Sequence, residues 1–262
     1  MLNQIYNESC LDTLQRIPDK SIDLVVTSPP YNMNLRIRYG KYTSRQIVKE
    51  FSTKYEGFSD NLPIEDFYAF HKDVLHELLR VSSLIFYNIQ IVTGSKRAFF
   101  KLIGDFSDNL KDIIVWDKGY AQPAMHEQVI SKRSELLLVF DTDYPISRQF
   151  RKHGYFERGK LDDIWEIPRQ RREVKNHTAI FPEALVETIL DNFSKEGDVV
   201  YDPFLGTGTT AMVAKRMKRY YVGSELSSSY CAMAKENLTN IDEEYRLSVN
   251  GKVKDGQNGV QG

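Results

Sequence analysis

An α/β domain with a mostly parallel sheet and helices on both faces is the fold class this sequence predicts, on three observations. Short apolar runs bounded by turn residues alternate with segments whose apolar residues recur every three or four positions, the patterns of strand and helix in turn. A strand, a Gly-x-Gly turn and a helix follow one another over residues 199–218. The chain has 262 residues, 41% of them hydrophobic and 27% charged, enough for one large domain with a real core.

Composition narrows the function classes. The net charge of −1 excludes a uniformly basic nucleic-acid coat but leaves room for a local basic face. Cys10 and Cys231 are too few for a disulfide framework and form no Cys-x-x-Cys pair, so no metal or redox centre is expected. No apolar run approaches the roughly 18 residues that span a membrane, and no signal-peptide pattern opens the chain. A cytoplasmic, reducing setting without a membrane partner is the expectation.

Taken in order, Ile5-Tyr6 reads as a short strand. Leu11, Leu14 and Ile17 share one side of a short helix that Pro18 ends. Residues 24–26 form a buried strand that must stop at Pro29-Pro30, because proline donates no hydrogen bond and holds φ at about −65°. What remains is a stiff turn, Thr27-Ser28-Pro29-Pro30-Tyr31-Asn32, with a hydroxyl before the prolines and a phenol after them.

Over residues 33–60, Arg36, Arg38, Lys41, Arg45, Lys49 and Lys54 alternate with Tyr39, Tyr42, Phe51 and Tyr55. That mixture suits a nucleic-acid backbone with exposed bases, and equally a solvated loop with packed tyrosines. A helix then opens at residues 62–66 and carries Phe67, Phe70, Val74, Leu75, Leu78 and Leu79 to Val81. Strands are expected at 84–88, 113–116 and 136–140, with a helix over 96–106.

Periodicity disappears over residues 144–176, where nine cationic side chains face five acidic ones among His153, Tyr155, Phe156 and Trp165. A long aperiodic stretch inside a compact domain points to function, and its aromatics disfavour disorder. A helix over 182–193 leads to the strand 199–201 and the turn at 202–210. The helix 211–218, the strand 220–223 and the helix 229–240 follow, with Ser224-Glu225 closing the strand. The glycine-rich residues 251–262 are expected to be a disordered tail, leaving 1–250 as one domain.

The turn after residue 201 has the form of a nucleotide-type site. Gly206 and Gly208 permit close backbone approach, and Glu225 ends the next strand, where a carboxylate can accept both ribose hydroxyls. Thr210 or Met212 stands where a dinucleotide fingerprint has its third glycine, so a pyrophosphate is disfavoured. An adenosine without phosphates, held by its ribose and a charged tail, is the expected ligand.

Asp202-Pro203-Phe204-Leu205-Gly206-Thr207-Gly208-Thr209-Thr210, together with Thr27-Ser28-Pro29-Pro30-Tyr31-Asn32, resembles the motif pair of the amino-methylating DNA methyltransferases, which use S-adenosylmethionine. The resemblance covers residues 5–240, and its order, catalytic motif first, is that of the β group, a permuted arrangement of a Rossmann-like fold. It implies a cofactor pocket of Asp202, Pro203, Phe204, Gly206, Gly208 and Thr209, with Glu225 on the ribose. His177 and Phe181 would approach the methionine end, although Thr178 replaces the usual proline after the histidine. Ser9 and Cys10 would lie beside the adenine, in a segment that reads Glu8-Ser9-Cys10-Leu11 where relatives often have Gly-Asp-Cys-Leu; a core helix start is the alternative for them. Residues 144–176 become an expected target-recognition segment and 33–60 a DNA-contacting loop. Double-stranded DNA is the implied partner, with a homodimer and a cognate restriction endonuclease as further partners.

The chemistry of Ser28, Pro29, Pro30 and Tyr31 suits that reaction. An exocyclic amine on a base is a poor nucleophile because its lone pair is delocalised into the ring. Acceptors on its N–H bonds, the Ser28 hydroxyl and the Pro29 carbonyl, would favour a nitrogen whose lone pair points at the methyl group. The two prolines hold these acceptors in place beforehand, and Tyr31 can stack on a base that has left the duplex. Methylation at cytosine carbon 5 needs a cysteine nucleophile, and neither Cys10 nor Cys231 lies in a matching motif. In the family, Ser before Pro-Pro is the form associated with cytosine N4 and Asp with adenine N6. Cytosine N4 is therefore the expected target and adenine N6 the alternative. A catalytically silent DNA-binding relative, or an enzyme acting on RNA or protein glutamine, would be a different outcome.

Overall fold

The computed structural model describes residues 1–32, 35–38, 41–44, 62–121, 127–169 and 181–257, with backbone alone at 35–38, 41–44 and 243–257. The amino-terminal part comprises β1 (Gln4–Tyr6), α1 (Cys10–Arg16), β2 (Ile22–Thr27), an antiparallel pair β3 (Leu35–Arg38) and β4 (Lys41–Ser44), and α2 (Ile64–Val81). Next come β5 (Ser82–Ile89), α3 (Lys96–Asp105), β6 (Leu110–Asp117), β7 (Ser134–Asp141) and β8 (Ile164–Glu166). The last part is α4 (Glu183–Phe193), β9 (Val199–Asp202), α5 (Thr209–Arg216), β10 (Tyr220–Ser224) and α6 (Ser228–Gln257).

Eight strands build one sheet in the order β1-β10-β9-β2-β5-β7-β6-β8. β7 runs antiparallel to both of its neighbours, and every other pairing in the sheet is parallel. The mostly parallel sheet expected from the sequence is observed. The reversal of β7 has a local cause: no helix occurs among the described residues between β6 and β7, and strands joined without a crossover pair antiparallel.

Two apolar layers sandwich the sheet. Val25, Ile85 and Tyr87 pack beneath Leu14 of α1, Leu75 and Leu78 of α2 and Phe99 of α3. Leu24, Val26 and Phe86 face the other way, toward Leu185 and Ile189 of α4, Val213 of α5 and Leu238 of α6. Strands buried on both faces read as continuous apolar runs, which is why residues 24–26 carry no polar alternation.

The described part of the 144–176 segment is anchored by its aromatics. Phe150 and Phe156 lie 5.0 and 5.2 Å from the Phe193 ring, and Trp165 stacks on Phe86. His153 is buried as well, whereas Tyr144 and Tyr155 remain exposed. These rings therefore serve the core on the α4 face, and residues 164–166 form an edge strand inside a stretch without periodicity. The basic residues 171–175, like most of 33–60, lie outside the described residues. The sequence predicts a disordered tail from 251, but α6 continues as helix to Gln257. The run before it, with Glu243, Glu244, Arg246 and Leu247, is rich in good helix formers that offset Gly251.

Candidate active site

The two sequence motifs meet because their strands are neighbours. β2 and β9 pair in parallel, with Leu24 opposite Val200 and Val25 opposite Tyr201. The helix after β9 goes to one face of the sheet and the helix after β2 to the other. A crevice opens beyond the carboxyl ends of two strands that part in this way, the usual ligand position in α/β sheets. Thr27 Oγ1 donates to Asp202 Oδ1 at 2.7 Å, joining the motifs across 175 residues of chain.

Asp202 is the hub on the β9 side. Its Oδ2 accepts from Thr210 Oγ1 at 2.7 Å and its Oδ1 from the Phe204 amide at 3.0 Å. Complete burial pushes the carboxyl up to about 6, against these hydrogen bonds, which favour the ionised form; Glu225 adds to the rise. Glu225 closes the turn, its Oε2 accepting from the Gly206 amide and its Oε1 from the Ser227 amide, each at 2.8 Å. Gly206 has φ 57° and Gly208 φ 93°, both left-handed. Gly208 faces α6: a Cβ there would stand 2.9 Å from the Cβ of Ala234, so this glycine sets helix packing.

On the β2 side, Ser28 Oγ lies 2.6 Å from Tyr31 Oη. Asn88 Nδ2, from the end of β5, is 2.7 Å from Tyr31 Oη and 3.3 Å from Ser28 Oγ. Both prolines are buried, and Asn32 takes a left-handed φ of 54° while its side chain donates to the Leu62 carbonyl. His71 of α2 bonds the Tyr87 hydroxyl beneath the turn, and burial pushes its imidazole down to about 3, so it is neutral.

One cavity is lined from both sides. Ser28, Pro30 and Tyr31 form one wall; Asp202, Pro203, Phe204, Gly206, Thr209 and Glu225 form the opposite one, with Ser9, Cys10 and Phe181 completing it. Pro29 and Gly208 do not line it, and His177 lies outside the described residues. Ser9 also caps α1, its side chain accepting from the Leu11 amide. Burial pushes the Cys10 thiol up to about 12, which keeps it protonated and removes it as a nucleophile. No cluster of His, Cys, Asp and Glu able to hold a metal occurs among the described residues.

Sequence reasoning missed Phe70, Thr210, Leu226 and Tyr230 on the cavity wall, and Asn88 behind it. Thr210 stands inside the motif and was findable as a partner for Asp202. Phe70 reads as one more apolar position of α2, and Asn88 as a polar strand end.

The family described as DNA methylase, of N6/N4 type, matches residues 22–236. The chain belongs to this family. The type II methyltransferase M.BglII of Bacillus subtilis is 27% identical over 93% of this chain and 71% of its own length. The orphan methyltransferase M.BamHII of Bacillus amyloliquefaciens is 28% identical over 86% of the chain and 92% of its own length. Among solved structures, the PvuII DNA methyltransferase, cytosine-N4-specific, superposes with a TM-score of 0.67 at 16% identity, covering 96% of this chain and 94% of that one. A DNA modification methylase of Thermus thermophilus, complexed with S-adenosyl-L-methionine, superposes at 0.60 with 24% identity over 91% and 93% of the two chains. These superpositions establish the Rossmann-like methyltransferase fold for the present chain.

Proposed function

We propose that this protein transfers a methyl group from S-adenosylmethionine to the N4 amine of cytosine at a specific site in double-stranded DNA, with the base turned out of the duplex. The observation that carries this reading is the single cavity whose walls are the Ser28–Tyr31 turn and the Asp202–Thr210 turn, tied together by the Thr27–Asp202 hydrogen bond.

The residues present fit the cofactor. Glu225 offers a carboxylate, a group that accepts up to about four hydrogen bonds, at the ribose position beside Gly206. Phe204, Leu226 and Tyr230 supply apolar surface for an adenine, and the buried Asp202 supplies negative charge facing a cationic tail. The bound cofactor supplies an activated methyl group on a sulfonium. Against it, Ser28 accepts a hydrogen bond from the target amine, and the buried Pro29-Pro30 pair keeps that acceptor fixed so that little reorganisation accompanies the reaction. Pro29 contributes its backbone and Tyr31 a ring on which the extruded base can stack, while Phe181 serves the methionine end, where the motif also assigns His177.

A hydroxyl can accept from cytosine N4 or adenine N6 alike. The serine before Pro-Pro and the cytosine-N4 specificity in the name of the PvuII relative favour cytosine. Residues 33–60 and the cationic stretch around 169–176 are the DNA-contacting candidates. The type II name of M.BglII supports a role beside a restriction endonuclease. DNA treated with protein and cofactor, digested to nucleosides and resolved by mass spectrometry, is expected to contain N4-methylcytosine. N6-methyladenine alone moves the assignment to adenine, and no methylated nucleoside refutes the reading.

A further inference from the structure

Behind the Ser28–Tyr31 turn lies a buried charged pair that the chemistry above leaves unused. Glu135 stands on β7 and Lys118 directly after β6, with Lys118 Nζ 2.9 Å from Glu135 Oε1. The Lys118 side chain is 1% exposed and that of Glu135 11%. Such a pair stabilises a fold little compared with apolar residues of the same size, because both charges leave water. Its geometry suggests another use. The second carboxylate oxygen, Oε2, accepts from Tyr31 Oη at 3.2 Å and from Asn88 Nδ2 at 2.7 Å. Tyr31 Oη is in turn 2.6 Å from Ser28 Oγ.

The charged end of this chain favours one direction for its bonds. An ionised carboxylate only accepts, and an ammonium only donates. Tyr31 has one hydroxyl proton, which the carboxylate draws to itself. The Tyr31 oxygen is then an acceptor toward Ser28, so the Ser28 proton points at Tyr31, away from the cavity. Ser28 meets an incoming amine with a lone pair. With a neutral group at 135 both hydroxyls could turn round, and the Ser28 proton would then oppose the N–H bonds of the substrate.

We propose that Glu135, held by Lys118, is a positioning residue that sets the polarity of the Ser28–Tyr31 hydrogen-bond chain so that Ser28 faces the target amine as an acceptor. The proposal rests on the amine-methylation reading given above. The charged and titratable groups around Glu135 are Lys118 after β6, Tyr31 after β2, and Asp117 at the end of β6, which Arg133 pairs. β5 contributes the uncharged Asn88, whose amide donates into the same cluster.

The test is a kinetic cycle with Glu135→Gln, Tyr31→Phe and the double variant, in the full chain with duplex DNA and S-adenosylmethionine. Glu135→Gln is expected to lower kcat about 10-fold or more, with cofactor binding and KM for DNA unchanged. In the Tyr31→Phe background the same substitution should produce no further loss, since Glu135 acts through that hydroxyl. Where Glu135→Gln fails to fold because Lys118 is left unpaired, Lys118→Met with Glu135→Gln replaces both charges and serves the same cycle. Wild-type kcat in the glutamine variant, or losses that multiply in the double variant, would overturn the proposal. Wild-type protein that makes no methylated nucleoside refutes the underlying reading instead.

Discussion

Replacing Asp202 with asparagine is expected to stabilise the ligand-free protein at neutral pH. The carboxyl is completely buried and pushed up to about 6 from the ordinary 3.8. For an acid whose folded value is raised, the stabilising contribution is fully present below the unfolded value and is lost as pH climbs through the folded one. The window is therefore pH 3.8 to about 6, and the linkage across it is worth about 3 kcal/mol. Asparagine has nearly the same shape. Its Oδ1 can keep the bonds from Thr27 and Phe204, and Thr210 need only turn its hydroxyl to accept from Nδ2. Urea unfolding of both proteins at intervals from pH 5 to 7.5 measures the difference, which should grow in favour of the variant by up to about 1.4 kcal/mol per pH unit below 6 and then level off. Taking the difference removes His71, whose buried imidazole stabilises in the opposite sense, losing its contribution as pH falls from 6.5 toward about 3. A difference independent of pH, or a variant less stable than wild type at pH 7, would show that Asp202 is not a burial-strained carboxylate.

Cofactor affinity should fall as pH drops below about 6, where Asp202 takes up a proton and ceases to face the cationic tail; calorimetric titration at pH 5 and 7.5 checks it. Ser28→Ala should lower methyl transfer about 100-fold or more while leaving cofactor binding intact, read as kcat against Kd. Gly208→Ala places a Cβ 2.9 Å from that of Ala234 at φ 93°, and about 2–4 kcal/mol of stability should be lost in urea unfolding. Phe193→Ala removes a ring packed on Phe86, Phe150 and Phe156, and should cost about 3–5 kcal/mol, measured the same way.

The parts of this site that could be read in the sequence are those whose chemistry is local. Pro29-Pro30 must end a strand, and Gly206 with Gly208 must form a tight turn, whatever surrounds them. Glu135 and Lys118 show the opposite case. Each looks like an ordinary charge at a strand end, and only the insertion of β7 between β5 and β6 brings them under Tyr31. That insertion was itself hidden, because strand order follows from pairing between segments far apart in the chain. The aromatics of 144–169 mislead for a related reason. Ring and cation spacing there suits nucleic acid, yet Phe150 and Phe156 are directed at Phe193, a partner far along the chain that no local pattern announces. His153 and Trp165 are buried with them.

The Thr27–Asp202 bond has a consequence for the order of events during synthesis. β2 leaves the ribosome early, but one of its two sheet neighbours, β9, is made 175 residues after it at the level of that bond. At elongation rates of about 5–20 residues per second, β2 waits roughly 10–35 s with one edge unpaired. Throughout that interval a nascent chain has the Ser28 turn but no Asp202 beside it, and so lacks one wall of the cavity. The cavity between the two turns can therefore form only after Asp202 has been made, and chaperones that shield strand edges should engage the chain between β5 and β9.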